Sequence, residues 1–441
     1  MSYLQNKFEQ FKADAPFMNP VLVDGKVSKA AGLIIEATSK SGTVGDVCDI
    51  FLQPGQSVRS EIVGFKNNKI LLMPLGETVG VAPGSRVRLN PEPLKVPVSN
   101  ALLGRVLNGL GAPIDGKAPV FSKNMRSVYN APPNPLIRQR ITERLETGIR
   151  AIDGLVTLGK GQRVGIFAGS GVGKSVLLGM MARYTDADVN VIVMVGERGR
   201  EVRDFIERDL GEEGLKKSVV IVATSDQAAT VRIKSALIGT TIAEYFRDQG
   251  KNVLLLMDSL TRVSMAQREI GLAIGEPPAS KGYTPSVFAL MPRLLERAGN
   301  SDKGSITGLY TVLVDGDDMD EPIADAARSI LDGHIVLSRK IATKGHYPAI
   351  DVLESVSRVK NEVMTDNQKN ISLKLLEQMA TYRESEDLIN IGAYSKGTST
   401  KIDNAIDNTE NINTFLRQDI EDKSNFLQTM GKLEEIGKGA L

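Results

Sequence analysis

Eight residues, AGSGVGKS from Ala168 to Ser175, stand between an apolar run, RVGIF, and a helix-forming one, VLLGMMARY. Gly169, Gly171 and Gly173 let the backbone curl around an anion, so that successive N–H groups and the helix N-terminus face phosphate oxygens. The candidate phosphate contacts are therefore Gly169, Ser170, Gly171, Val172, Gly173, Lys174, Ser175 and Val176. In this pattern the lysine, Lys174, reaches the β- and γ-phosphates of a nucleoside triphosphate, and the Ser175 hydroxyl ligates Mg²⁺. Ala168 replaces the first glycine of the strict motif. An ordinary strand-to-helix glycine turn is the competing reading; the apolar strand before the loop and the helix after it argue against that. A second element, NVLLLMDSLTR, ends an apolar strand at Asp258, suited to hold Mg²⁺ through water. Many strands end in Asp, and it is the pairing with the glycine loop that gives this one meaning. Hydrolysis also needs a group that polarises water. VNVIVMVGERGREV presents Glu197 at a strand end as that base, with Glu201 second and Arg198 between them. A solvated charged turn accounts for these three residues equally well.

The elements that carry these residues alternate. Apolar β-rich runs RVGIFAG, VNVIVMVG, SVVIVAT, NVLLLMD and ITGLYTVLV are separated by helical segments between about residues 150 and 350. Near-continuous apolar strands between helices indicate a parallel sheet covered on both faces. Residues 19–97 form short β-rich runs punctuated by turn signals such as Asp24-Gly25, Asn67-Asn68 and Pro83-Gly84, the pattern of a small β-barrel. Its only aromatics, Phe51 and Phe65, lie in apolar strands and are expected to pack in the core rather than stack nucleic-acid bases. The stretch LLGRVLNGLGAPIDGKAP reads as loops wrapping onto the next domain. The expected fold is a multidomain α/β chain. An N-terminal amphipathic segment covers 1–18, a barrel 19–97, a central P-loop parallel-sheet domain 98–362, and an α-helical domain 363–441. In the first segment Leu4, Phe8 and Phe11 share one helical face, which either folds back on the body or docks a partner.

Composition narrows the chemistry. The 441 residues carry 54 Lys plus Arg against 53 Asp plus Glu, a net charge of +1. A chain held on nucleic acid by its overall field carries a clear basic excess, so no specific nucleic-acid partner is expected. The single cysteine, Cys48, and two histidines, His334 and His346, offer no ligand spacing for a zinc or other metal centre. The N-terminus lacks an apolar signal region, and no run of 18 apolar residues occurs; the expected location is cytoplasmic.

Taken together, AGSGVGKS, GERGREV, LLLMDSLTR, GEPPASKGY, SILDGHIVLSR and YPAIDVLESVSRV resemble the export ATPases of bacterial flagella and type III secretion systems, relatives of the catalytic subunits of rotary ATP synthases. The resemblance implies a RecA-like ATPase domain that binds ATP with Mg²⁺, through Lys174, Ser175 and Asp258. It makes Glu197 the catalytic carboxylate, Arg198 its partner and Arg262 an active-site arginine. Tyr347 aligns with the aromatic that stacks on adenine, and Phe415 either completes that pocket or packs in the core. Arg358 occupies the place of an arginine finger that enters the neighbouring subunit's site. Residues 268–283 either line a ring's central channel or form a plain β–α connection. The implied partners are five further copies in a homohexamer, a central stalk protein, export chaperones with their secreted substrates, and a membrane export gate to which the ring is peripherally recruited. A stator-like regulator is implied at the N-terminal segment. A rotary synthase subunit, an RNA-dependent ring translocase and a nucleotide-regulated scaffold are the competing functions. Deleting residues 1–18 is expected to weaken co-purification with the regulator while sparing basal ATPase activity; unchanged association would count against a docking role.

Overall fold

The computed structural model describes residues 24–438 apart from 40, 54, 315 and 317, so the Leu4, Phe8 and Phe11 stripe lies outside the described residues. The chain divides into two compact units, one reaching Leu94 and the other beginning at Lys95.

The first unit is a closed six-stranded barrel in the order β1 (Asp24–Ala31), β2 (Ile34–Thr38), β5 (Lys69–Pro74), β4 (Gln56–Lys66), β3 (Asp46–Gln53), β6 (Arg86–Pro93). Alternation turns Val27, Ile35, Ile50, Ile62, Leu72 and Val87 inward, where each is buried. Asn67 and Asn68 join β4 to β5 with φ of 48° and 62°. Two consecutive left-handed residues are what a two-residue hairpin turn of matching twist requires. Two expectations fail here. Asp24-Gly25 is not a turn but the start of β1, where a Cβ on Gly25 would lie 2.1 Å from the Thr38 carbonyl oxygen. The turn comes later, at Gly32-Leu33. The barrel aromatics are not core residues either. Phe65 is 55% exposed, and Phe51 lies under the guanidinium groups of Arg86 and Arg88, 5.5 and 5.2 Å from its ring centre. The reason is parity: Ile50 points inward, so its neighbour Phe51 points out.

The second unit is built on a nine-stranded sheet. Its strands are β7 (Arg105–Asn108), β8 (Arg163–Ala168), β9 (Val189–Val195), β10 (Ser218–Ala223), β11 (Asn252–Asp258), β12 (Ser305–Leu313), β13 (Gly333–Leu337) and β14 (Ile350–Ser357). They lie in the order β14-β13-β8-β12-β11-β9-β10-β7, and a short strand, Gly299–Asn300, pairs antiparallel with β12. From β13 to β7 all neighbours are parallel; β14 is antiparallel to β13. β9 and β10 are buried along their whole length, as a sheet covered on both faces demands. β7 corrects the reading of residues 102–119 as loops: Arg105–Asn108 pairs with β10 and forms an edge of the sheet. Four residues between two glycines are too few to display a period.

The principal helices are α1 (Arg150–Leu155), α2 (Lys174–Tyr184), α3 (Ala229–Arg247), α4 (Leu260–Ile274), α5 (Asp366–Asn390), α6 (Thr400–Leu416) and α7 (Phe426–Lys438). The last three share a continuous apolar core with the sheet, through Leu375, Ile412, Phe415, Leu416 and Leu433. Polar contacts converge on α1. Gln368 Nε2 donates to the Asp153 carbonyl and to Thr157 Oγ1, both at 2.9 Å, and Ser372 Oγ donates to the Gly154 carbonyl at 2.8 Å. Arg150, buried, gives its Nε to the Phe415 carbonyl at 2.8 Å and its backbone N–H to Gln418 Oε1 at 2.8 Å.

Another buried cation fastens the segment that precedes α1 within this unit. Arg297, 2% exposed, donates to both carboxylate oxygens of Glu244 at 2.7 and 2.9 Å, to Thr241 Oγ1 at 2.8 Å and to the Val128 carbonyl at 2.8 Å. Breaking a buried ion pair from one side leaves an uncompensated charge and costs about 3–5 kcal/mol. Arg297→Met is therefore expected to lower the denaturation midpoint of the second unit, with Glu244→Gln/Arg297→Met less destabilised than Arg297→Met alone. An unchanged midpoint in Arg297→Met would refute this account.

Candidate active site

Parallel strands deliver their carboxyl ends to one edge of the sheet, and the sequence places its candidates there. β8 ends at Ala168 and the glycine loop follows, with Gly171 at φ 78° and Gly173 at φ 86°. A Cβ on Gly171 would touch nothing within 4 Å, so it is conformation and not space that calls for glycine there. Gly173 caps α2, whose first turn holds Lys174 and Ser175; Ser175 is exposed and Val172 buried. The loop backbone and the α2 N-terminus thus form an anion cradle.

Three charged groups meet beside it. Lys174 Nζ lies 2.6 Å from Asp258 Oδ1 and 3.5 Å from Glu197 Oε1. All three side chains are at most 13% exposed. Burial opposes the charge on Lys174, but the attraction of Asp258 and Glu197 outweighs it and holds its pKa above the ordinary lysine value. Glu197 is pushed up to about 7, first by burial and then by repulsion from Asp258. Lys174 opposes that shift, and a hydrogen bond with Glu201 adds to it. A buried carboxylic acid beside a second carboxylate and poised near neutrality is suited to proton transfer. The charged turn is therefore not a solvated one at Glu197, whereas Arg198 is 83% exposed and its ion pair, at 3.8 Å, is with Glu201.

Arg262 enters from α4. Its Cβ, Cγ and Cδ lie 3.1 to 3.3 Å from where a Cβ on Gly196 would be, so the arginine lies across the end of β9 next to Glu197. Its Nε is buried and makes no hydrogen bond among the described residues. A buried guanidinium nitrogen left without an acceptor, a cradle of backbone donors and a lysine held by carboxylates fit an anionic ligand such as a nucleotide with its Mg²⁺.

The remaining candidates separate. Tyr347, 45% exposed, places its ring edge 3.4 Å from a Cβ built on Gly173, against the phosphate loop. Phe415 is 4% exposed, and its ring tip lies 3.0 Å from a Cβ built on Gly154. Of the two readings of Phe415, core packing is the one observed. Arg358 is exposed, just after β14, with its Nη2 donating to the Arg328 carbonyl at 3.1 Å. It stands at the other end of the sheet from its own phosphate loop. Ser357 pairs with Gly333, whereas Ala168 is in register with Leu337, four residues or about 13 Å along the strand.

One participant escaped sequence reasoning. Thr311, on β12, donates its hydroxyl to Asp258 Oδ1 at 2.6 Å. Its only signal is a hydroxyl inside the apolar run ITGLYTVLV.

Comparison with known proteins identifies the family. Residues 148–357 match the family described as ATP synthase alpha/beta family, nucleotide-binding domain, and residues 364–435 match the T3SS EscN ATPase C-terminal domain. A flagellum-specific ATP synthase of Bacillus subtilis is 53% identical over 414 residues, covering 93% of this chain and 94% of that protein. A type 3 secretion system ATPase of Xanthomonas euvesicatoria is 49% identical, covering 93% of each. The assembled ATPase EscN of the enteropathogenic E. coli type III secretion system superposes with a TM-score of 0.90 at 44% identity, covering 94% of this chain and 100% of that one. EscN in complex with its central stalk EscO gives a TM-score of 0.87 over the same coverage. With half of its residues identical across nearly its whole length, the chain belongs to the ATP synthase alpha/beta family, as an ATPase of the flagellum-specific and type III secretion group.

Proposed function

We propose that the chain is the ATP hydrolase of a bacterial flagellar or type III protein export apparatus and works as a homohexameric ring. In that ring hydrolysis drives chaperone release and substrate unfolding. The observation that carries the ring is the separation of the phosphate loop from Arg358. An arginine at the opposite end of the sheet is out of reach of its own phosphate loop. In a ring of identical chains it is offered to a neighbour instead. Because one chain holds both groups, every interface between copies is complete.

Within each site the residues divide the work. The loop N–H groups and Lys174 bind the phosphates, and Tyr347 packs against the adenine. Ser175 and Asp258 would hold Mg²⁺, which would supply neutralisation of phosphate charge. Glu197 in its ionised form accepts the proton of the attacking water. Arg262 and the neighbour's Arg358 counter the negative charge that builds on the transferred group; a planar, permanently charged fork suits that task. Arg198 acts through Glu201 on the orientation of Glu197. The partners that follow are a central stalk protein, as EscN has in EscO, together with chaperones and an export gate at the membrane. Among the described residues no helix is long and apolar enough to cross a membrane. The stacking platform that an RNA translocase needs finds little support in a barrel whose Phe51 is already covered by arginines paired with Asp24.

Two measurements test this. Glu197 stands near 7, and a base is idle while protonated, so kcat/KM should rise with pH through about 7. Glu201→Gln removes a neighbour that raises Glu197 and should move that midpoint to lower pH; an unmoved midpoint would contradict the assignment of the base. Separately, mixing inactive Glu197→Gln and Arg358→Ala chains should restore part of the activity, since some interfaces then receive both intact residues. Mixed rings with no activity at any ratio would sink the shared site.

A further inference from the structure

In the sheet order, β12 separates the phosphate-loop strand β8 from the Asp258 strand β11. Thr311 stands near its carboxyl end, in register with Ile166 of β8, and Tyr310 beside it is in register with Met257 of β11. Its side chain is fully buried, at 0% exposure, between Tyr310 and Val312. A buried hydroxyl costs free energy unless it is hydrogen-bonded, and valine would serve the strand equally well in shape and β-propensity. The hydroxyl is therefore explained by what it touches. It donates to Asp258 Oδ1 at 2.6 Å, and its other acceptor, the Met257 carbonyl, lies at a weaker 3.4 Å. The 2.6 Å contact has the length of a charge-assisted O–H···O⁻ bond, which is about twice as strong as a neutral one.

The same oxygen is the one that Lys174 holds, at 2.6 Å. Asp258 Oδ1 is thus gripped by two donors of different kinds. One is fixed on a neighbouring strand. The other is a flexible lysine whose ammonium has a second task at the phosphates. We infer that Thr311 is a positioning residue of the ATPase site: it keeps Oδ1 of Asp258 satisfied and the carboxylate oriented while Lys174 is shared between Asp258 and the nucleotide. The carboxylate plane is then set by the protein, and Oδ2, which neither donor engages, is the oxygen that would be left for the metal. Without the hydroxyl, transfer of Lys174 to phosphate would leave Oδ1 a buried carboxylate oxygen with no strong donor. Asp258 would then either retain the lysine or turn to find another partner. Both outcomes weaken the Mg²⁺-dependent part of nucleotide binding and slow hydrolysis.

This inference rests on the reading of Lys174 and Asp258 as phosphate and metal machinery, and its test keeps the two apart. Thr311→Val removes the hydroxyl at nearly constant shape. Thr311→Ser and Thr311→Ala both lose the methyl group and differ from each other only in the hydroxyl. For each protein, ADP affinity is measured by titration calorimetry with Mg²⁺ and with EDTA, alongside kcat and thermal unfolding. Wild type and Thr311→Ser are expected to share a Mg²⁺-dependent gain in ADP affinity. In Thr311→Val and Thr311→Ala that gain and kcat should each fall about tenfold, the lower end of the range for removing a group that orients a metal ligand. ADP affinity in EDTA should change far less. If Thr311→Val fails to fold, the Ser and Ala pair decides. Equal Mg²⁺ gain and equal kcat in Ser and Ala, or in wild type and Val, would overturn the role of Thr311. A wild-type chain that bound no ADP under either condition would instead overturn the nucleotide site itself.

Discussion

A lysine buried between two carboxylates is the constraint around which the rest is arranged. Lys174, Asp258 and Glu197 come from α2, β11 and the turn after β9, and all sit in a site largely closed to water. One cation against two anions is a deficit in a medium where charge is costly, and the raised pKa of Glu197 expresses that deficit. In the proposed site the phosphates of a nucleotide and its Mg²⁺ would join this cluster, so its three members have to stand side by side. This is why the strands must be parallel. Only a parallel sheet brings the ends of β8, β9 and β11 to one edge, each followed by a loop free to carry a functional group.

The same sheet links that edge to Arg358. At the start of β8, Arg163 donates to both oxygens of Asp332, at 2.9 and 3.0 Å, and the Arg358 backbone N–H donates to the Asp332 carbonyl at 3.0 Å. Gln162 Nε2 adds bonds to the Asp332 carbonyl at 3.0 Å and to Ser357 Oγ at 3.1 Å. A strand of six residues therefore carries the phosphate loop at its carboxyl end and the mount of Arg358 at its amino end. Hydrogen-bonded sheet interiors are stiff, so Arg358 is mounted on the frame that holds its own chain's nucleotide loop. In a ring, that frame would make the arginine given to one neighbour depend on the site facing the other.

How legible this was depended on whether the chemistry is contiguous in sequence. The phosphate loop is: three glycines, a lysine and a serine in one short run carry their own geometry, and the strand and helix around them were readable from apolar periodicity. Asp258 was readable because it ends a buried strand. Glu197 was readable as a strand-end acid but not separable there from a solvated charged turn; Arg262, Tyr347 and Arg358 carry no local signal, since an arginine or a tyrosine has many ordinary uses, and only family resemblance singled them out. Errors arose where parity or length decides. Ile50 faces the barrel interior, which forces Phe51 outward whatever its hydrophobicity, and Arg105–Asn108 is too short to announce a strand. Thr311 was invisible because its meaning lies in a register between strands some 50 residues apart in sequence.

The helical part is tied to the site by a route that the sequence conceals as well. Tyr347 lies against the phosphate loop, and its own carbonyl accepts the backbone N–H of Gln418 at 2.9 Å. The Gln418 side chain donates in turn to the Gly148 carbonyl at 2.7 Å and accepts from the Arg150 backbone, while Phe415 fills the space against Gly154. The segment after α6 thus contacts at once Tyr347, the aromatic at the loop, and the residues that open the short helix α1. Phe415 supports this junction from within the core, and a buried ring there fixes the spacing between α1 and α6. Displacing Tyr347 by even a fraction of an ångström would have to be accommodated at Gln418, because packed interiors and paired backbone groups do not yield separately. Under the proposed role of Tyr347, a ligand that contacted it would be coupled to the helical part through Gln418.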